Sequence, residues 1–210
     1  MGAHPPQATG PVGRGRFDRP FWLYLAAVGL IGAGFADFTL MAYHFQRAAV
    51  IGRAWTPVFY AIAMAVSGAG SLLFGRMFDR IGLMVLVPVT IASSFFAPLV
   101  FYGSFGPALL GTALWGLGTG VHESVMAAAV AVVVPVQRRG SAYGLFNAVY
   151  GGSWFLGSWL MGVLYGAWRP GLVLFAMATQ LAAVPLFARL AGSYPGRQPP
   201  PAEDAVRPGE

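Results

Sequence analysis

Six apolar runs fill the chain between Phe21 and Leu190, and only short breaks separate them. They extend roughly over Phe21 to Phe45, Thr56 to Phe74, Leu83 to Tyr102, Pro107 to Val134, Tyr143 to Gly166 and Gly171 to Leu190. At about 1.5 Å per residue, each can cross a hydrocarbon core of about 30 Å as a helix. The expected fold class is therefore all-α integral membrane, with six transmembrane helices. Composition agrees: 57% of the 210 residues are hydrophobic and 10% charged, too little polar surface to cover a soluble globule.

The flanks read differently. Residues 1–20, rich in Gly, Pro and Arg and without periodicity, are expected to be a disordered cytoplasmic tail. Residues 191–210, which carry a triple proline, are expected to be a flexible one. The first apolar run is too long for the core of a secretory signal and lacks a small-residue cleavage site, so it should persist as a helix.

All thirteen basic residues are arginine, and the net charge is +6. They stand at the ends of the apolar runs and form no basic face interleaved with aromatics. This is a topology and headgroup pattern, with no sign of a nucleic-acid surface. Placing the amino terminus inside puts Arg14, Arg16, Arg19, Arg76, Arg80, Arg138, Arg139, Arg189 and Arg197 in the cytoplasm, against Arg47, Arg53 and Arg169 outside. Both termini are then cytoplasmic, and the membrane is the plasma membrane.

The chain has no cysteine, which excludes disulfides, thiolate metal sites and cysteine nucleophiles. No His/Asp/Glu group has a ligand spacing that defines a metal site, and no phosphate loop, dinucleotide fingerprint or nucleophile elbow is present. No cofactor is expected. An intramembrane serine protease would need a general base near its serine, yet no histidine follows His122, so no enzyme activity is expected.

Two acids lie inside the expected spans, Asp37 and Glu123. Each sits about 24 Å from the start of its helix, too deep to reach water by snorkelling, so each must face protein or a water-filled cavity. A carboxyl group in such a place can gain and lose a proton during transport. His44 follows Asp37 by seven residues and is expected near the outer interface; His122 adjoins Glu123 but points about 100° away around the helix. Either histidine is a candidate proton relay. Asn147 and Tyr150, with Trp115 and Thr119, are candidate substrate contacts. Small residues recur every fourth position at Ser67, Ser71 and Gly75, at Gly116 and Gly120, and at Ser158, Gly162 and Gly166, as close helix packing in lipid requires.

One charged cluster stands between two long apolar runs: GRMFDRIG, Gly75 to Gly82, expected to be a short hinge where the membrane ends on both sides. It resembles the loop motif of the major facilitator superfamily (MFS), found between the second and third helices of each half. WGLGTGVHESVMAAAV at 115–130 is similar to a fourth helix carrying an acid, and RRGSAYGLFNAVYGGSWFLGSWLMGVLYG at 138–166 to the following loop and Gly-rich helix. The resemblance is to the carboxy-terminal six-helix half of a twelve-helix member. Leu83 departs from the full motif, which often continues with a basic residue.

The resemblance implies two inverted three-helix units. Asp37 and Glu123 are each the seventeenth residue from the start of their unit's first helix, Phe21 and Pro107. It also implies that the first and fourth helices line the transport path, and that Gly75, Arg76, Asp79, Arg80 and Gly82, with Arg139 and Gly140, form a conformational latch. Asp79 would attract the positive end of a helix in the opposite half, or dock near Ser141 and Ala142 of a second molecule. The expected function is that of a proton-coupled secondary transporter half. It would move a small solute by rocking against a second six-helix unit, either another copy or a separate partner. The alternatives are a substrate-capturing membrane subunit of an energy-coupled importer and a truncated fragment without transport activity.

Overall fold

The computed structural model describes residues 17–193, and every regular element in them is helical. The expected tails lie outside the described residues, apart from 17–20 and 191–193. Helix α1, Arg19–Gly34, starts with proline in its first turn, where a missing N–H costs nothing. It stops at an extended Phe35, and α2, Phe38–Arg47, restarts after Asp37, so the first apolar run is a broken helix.

Helix α3 spans Trp55–Ile81. The chain leaves it at Gly82, whose φ of 61° suits glycine, and makes a single 3-10 turn over Gly82–Val85. Helices α4, Leu86–Ser94, and α5, Phe96–Tyr102, follow with almost no interruption. Helix α6, Phe105–Val121, passes through a π-helical turn, His122–Met126, into α7, Ala127–Val133. Helices α8, Arg139–Ala167, and α9, Arg169–Ser193, complete the bundle.

Two expected boundaries move. GRMFDRIG is no hinge between helices: Gly75 to Ile81 are the last two turns of α3, and only Gly82 lies in the turn. Charged side chains end the hydrocarbon, but a helical backbone satisfies its own hydrogen bonds in water or lipid, so the helix outlasts the apolar run. The arginine loop at 138–140 is likewise drawn into α8 at Arg139. The Arg139 guanidinium donates to the carbonyls of Ala131 (2.6 Å) and Val134 (3.4 Å), satisfying the end of α7.

Four stretches are long and apolar enough to cross a membrane: Arg19–Arg47, Trp55–Tyr102, Phe105–Val133 and Arg169–Ser193. Helix α3 packs along α6, α1 lies between α8 and α9, and α4 contacts α6 and α9. At the α3–α6 seam the small residues are essential. A methyl group on Gly116 would strike the Ala63 carbonyl and one on Gly120 the Ser67 carbonyl, while Ser71 donates to the Gly120 carbonyl at 2.8 Å. The third small-residue series differs: Gly162 and Gly166 on α8 have nothing within contact distance, as have Gly75 and Gly140.

The apolar interior falls into two clusters. One gathers Phe21, Tyr24, Ile31, Leu86, Val121 and Phe187; the other gathers Phe35, Phe45, Phe59, Phe96, Phe101 and Trp115. Between them in chain order lie the buried polar residues Thr90, Ser93 and Gln180, while buried His122 falls within the first cluster, between Val121 and Val125.

Candidate functional site

The break at 35–37 and the π turn at 122–126 place the two membrane acids. Breaking a helix in an apolar setting frees backbone groups that must find partners. Here Asp37 caps α2, its side chain accepting the Thr39 N–H at 2.8 Å. The Ala36 carbonyl accepts the indole N–H of Trp115 at 2.8 Å, and the Gly34 carbonyl accepts the Gln180 amide at 3.3 Å. At the π turn Glu123 is exposed while His122 and Met126 are buried, and Tyr24 donates its hydroxyl to the Met126 carbonyl. π turns of this kind are frequent at functional sites.

Asp37 and Glu123, although distant in sequence, line one open cleft of about 280 Å³. Its walls are Phe38, Tyr60, Met64, Ser67, Trp115, Thr119 and Trp154. A shallower hollow of about 420 Å³ continues past Asp37, Phe38 and Tyr60 to Thr39, Thr56 and Pro57. Phe38 stands between Tyr60 (centroids 4.8 Å apart) and Trp115 (5.7 Å), so three rings run in a row along one side. Trp115 and Thr119, named from sequence as polar and aromatic candidates, belong to this cleft. Tyr150 does not line it, but the Glu123 carboxylate is close enough to act electrostatically on the Tyr150 hydroxyl. Asn147 is exposed on α8, away from the cleft.

The histidines are placed elsewhere. His122 is fully buried, its Nε2 3.3 Å from the Thr90 hydroxyl, and its Nδ1 has no partner in the structure. His44 is buried, 2% exposed, with Nδ1 3.0 Å from the Tyr165 hydroxyl and its ring against Phe101.

The expected latch residues share no contact with this cleft. Asp79 and Arg80 are exposed in the last turns of α3, and Arg76 donates to the Leu72 carbonyl of its own helix at 3.2 Å. Of the proposed docking pair, Ala142 is buried and Ser141 exposed.

Several residues escape sequence reasoning. Phe38, Tyr60 and Trp154 were read as span residues, and nothing in their spacing marks a wall. The buried relay is likewise unannounced: Ser93 donates to the Gln180 carbonyl oxygen at 3.1 Å, and Gln180 donates onward to Gly34. Gln180 did carry a signal, as the lone side-chain amide in its apolar run.

The family model described as Major Facilitator Superfamily matches residues 58–209. The chain belongs to the major facilitator superfamily. Members of this superfamily are membrane transporters, so the four apolar stretches belong to an integral membrane protein. Uncharacterised proteins of Mycobacterium bovis and of two Mycobacterium tuberculosis strains are 35% identical over 164 residues, 78% of this chain. That alignment covers 40% of each relative, so the chain spans well under half the length of the curated relatives it matches. In this superfamily member, the acids singled out from sequence meet in one cleft and the loop motif lies apart from them.

Proposed function

We propose that the chain is one half of a proton-coupled secondary transporter, in which Asp37 and Glu123 are the protonation or solute-contact groups. The observation that carries this reading is their shared cleft, bounded by a broken helix on one side and a π turn on the other. Two ionisable groups are kept in an apolar bundle at a cost, and discontinuous helices are where transporters of this build hold solutes and ions.

A six-helix division fits the lengths. The stretch Trp55–Tyr102 has 48 residues, about 70 Å as one helix and more than twice a hydrocarbon core, so it crosses twice with its turn at Gly82. Helix α8, with 29 residues, supplies another crossing. The crossings form two inverted three-helix units, with both termini on the cytoplasmic face of the plasma membrane.

The partner is a second six-helix unit, another copy or a separate chain. Supporting this, the relatives are about twice as long, and α8 turns outward Phe155 (72% exposed), Trp159 (64%) and glycines that nothing touches. Asp79, with Gly75, Arg76, Arg80, Gly82, Arg139 and Gly140, acts as the latch against that unit. His122, His44, Asn147 and Tyr150 are subsidiary groups.

The test is reconstitution in liposomes with an imposed pH gradient, recording oligomeric state and solute-dependent proton flux together. Flux should appear with an assembled pair and fall at least tenfold in Glu123→Gln. A strict monomer without flux toward any solute in a broad panel, with or without a second unit, overturns the reading.

A further inference from the structure

The cleft at Asp37 and Glu123 has a chemistry of its own that bears on what enters it. None of its lining residues is basic, so two carboxyl groups face one opening with no cationic side chain to offset them. One oxygen of Asp37 is taken by its helix cap, whereas Glu123 is exposed within the π turn. The rest of the wall is chiefly aromatic: Tyr60 (44% exposed), Phe38 and Trp115 in a row, with Trp154 contributed by α8.

Negative charge beside the faces of several rings is the surface that attracts an organic cation. The ring quadrupoles and the carboxylates act with the same sign on a quaternary or protonated amine, and the rings replace the water that the cation sheds. A neutral polyol can hydrogen-bond to the carboxylates and to the Ser67, Thr119 and Tyr60 hydroxyls but leaves the two like charges uncompensated, and an anion would meet two like charges. A cleft of about 280 Å³ admits one small aromatic or alkyl ammonium ion.

We propose that the solute of this cleft is a small organic cation with an apolar body, its charge held between Asp37 and Glu123 and its body against Phe38, Tyr60 and Trp115. This rests on the transporter-half reading only for the word solute; the site itself is a property of this chain.

The probe is benzyltrimethylammonium, titrated into the full chain in lipid nanodiscs and compared with its uncharged carbon isostere neopentylbenzene and with benzenesulfonate, after subtraction of empty discs. Saturable binding of the cation is expected, at least tenfold tighter than either comparison compound. It should weaken at least tenfold in Glu123→Gln and severalfold in Tyr60→Leu, and Glu123→Asp should restore most of it. The thermal unfolding of each variant shows that it is folded. Absence of cation binding, equal binding of the neutral isostere, or unchanged binding in a folded Glu123→Gln overturns the proposal. Proton flux on the same preparation separates the two readings. Cation binding without flux under any solute leaves the site standing and removes transport; flux driven by neutral or anionic solutes without cation binding does the reverse.

Discussion

Trp115 reaches from α6 to the Ala36 carbonyl at 2.8 Å, so one side chain both walls the acidic cleft and closes the gap in the broken first helix. Trp115→Phe keeps a ring at the site but leaves that carbonyl without its donor in a buried setting. The expected loss of stability is about 1–3 kcal/mol, read from denaturant unfolding in detergent, together with weaker occupancy of the cleft. An unchanged unfolding midpoint would mean that another donor takes over the carbonyl.

Glycines in this bundle divide by what stands opposite them. Gly116→Ala and Gly120→Ala drive a methyl group into the backbone of α3 and should each cost about 1–3 kcal/mol. Gly75→Ala and Gly140→Ala meet nothing and should leave the unfolding of the isolated chain within about 0.5 kcal/mol. The comparison is a set of thermal melts on four purified variants.

Gln180 and His122 are both fully buried, but their substitutions should differ. Gln180→Leu strands the buried Gly34 carbonyl and leaves the Ser93 hydroxyl only its bond to the Thr90 carbonyl, at a cost of about 1–3 kcal/mol. His122→Phe removes a ring whose Nδ1 is already unpartnered and whose remaining contact, with Thr90, is long at 3.3 Å. It should cost less than Gln180→Leu, and pairing it with Thr90→Val should bring the change near zero. Equal losses in the two single variants would show that the histidine carries more of the network than its geometry implies.

Asp79 places a negative charge in the final turns of α3, at the negative end of the helix dipole. Asp79→Ala should therefore leave the isolated chain as stable as before or slightly more so, while weakening assembly with a second unit and lowering flux. Analytical ultracentrifugation in detergent and flux from liposomes would be read together. Unchanged assembly and transport would make the motif an inherited relic in this chain.

The all-helical fold was legible because lipid leaves an apolar run few choices of backbone. The two acids were legible for the matching reason, that a carboxyl group in such a run demands an explanation. The cleft uniting them was not, because Phe38, Tyr60 and Trp154 look in sequence like any span aromatics. The break at 35–37 had a partial signature in Gly34 and the capping Asp37, but the donors that make it tolerable, Trp115 and Gln180, come from α6 and α9. The π turn left no trace in HESVM. Thr90 and Ser93 were hidden because hydroxyls in apolar helices commonly bond their own backbone, as Ser93 also does to the Thr90 carbonyl at 3.2 Å. GRMFDRIG was misplaced because the end of an apolar run marks the edge of the hydrocarbon, which is a different boundary from the end of a helix.

The polar residues between the two apolar clusters also govern how damage would spread. Phe187 belongs to one cluster and Phe101 to the other, and no buried side chain belongs to both. Cavities cut at these two phenylalanines should add as independent losses, whereas a pair cut within one cluster should couple, since distant sites without shared partners are additive and neighbours are not. A core change around Phe101, Phe35 and Trp115, beside the cleft, should therefore leave the packing around Phe187 and Tyr24 as it was.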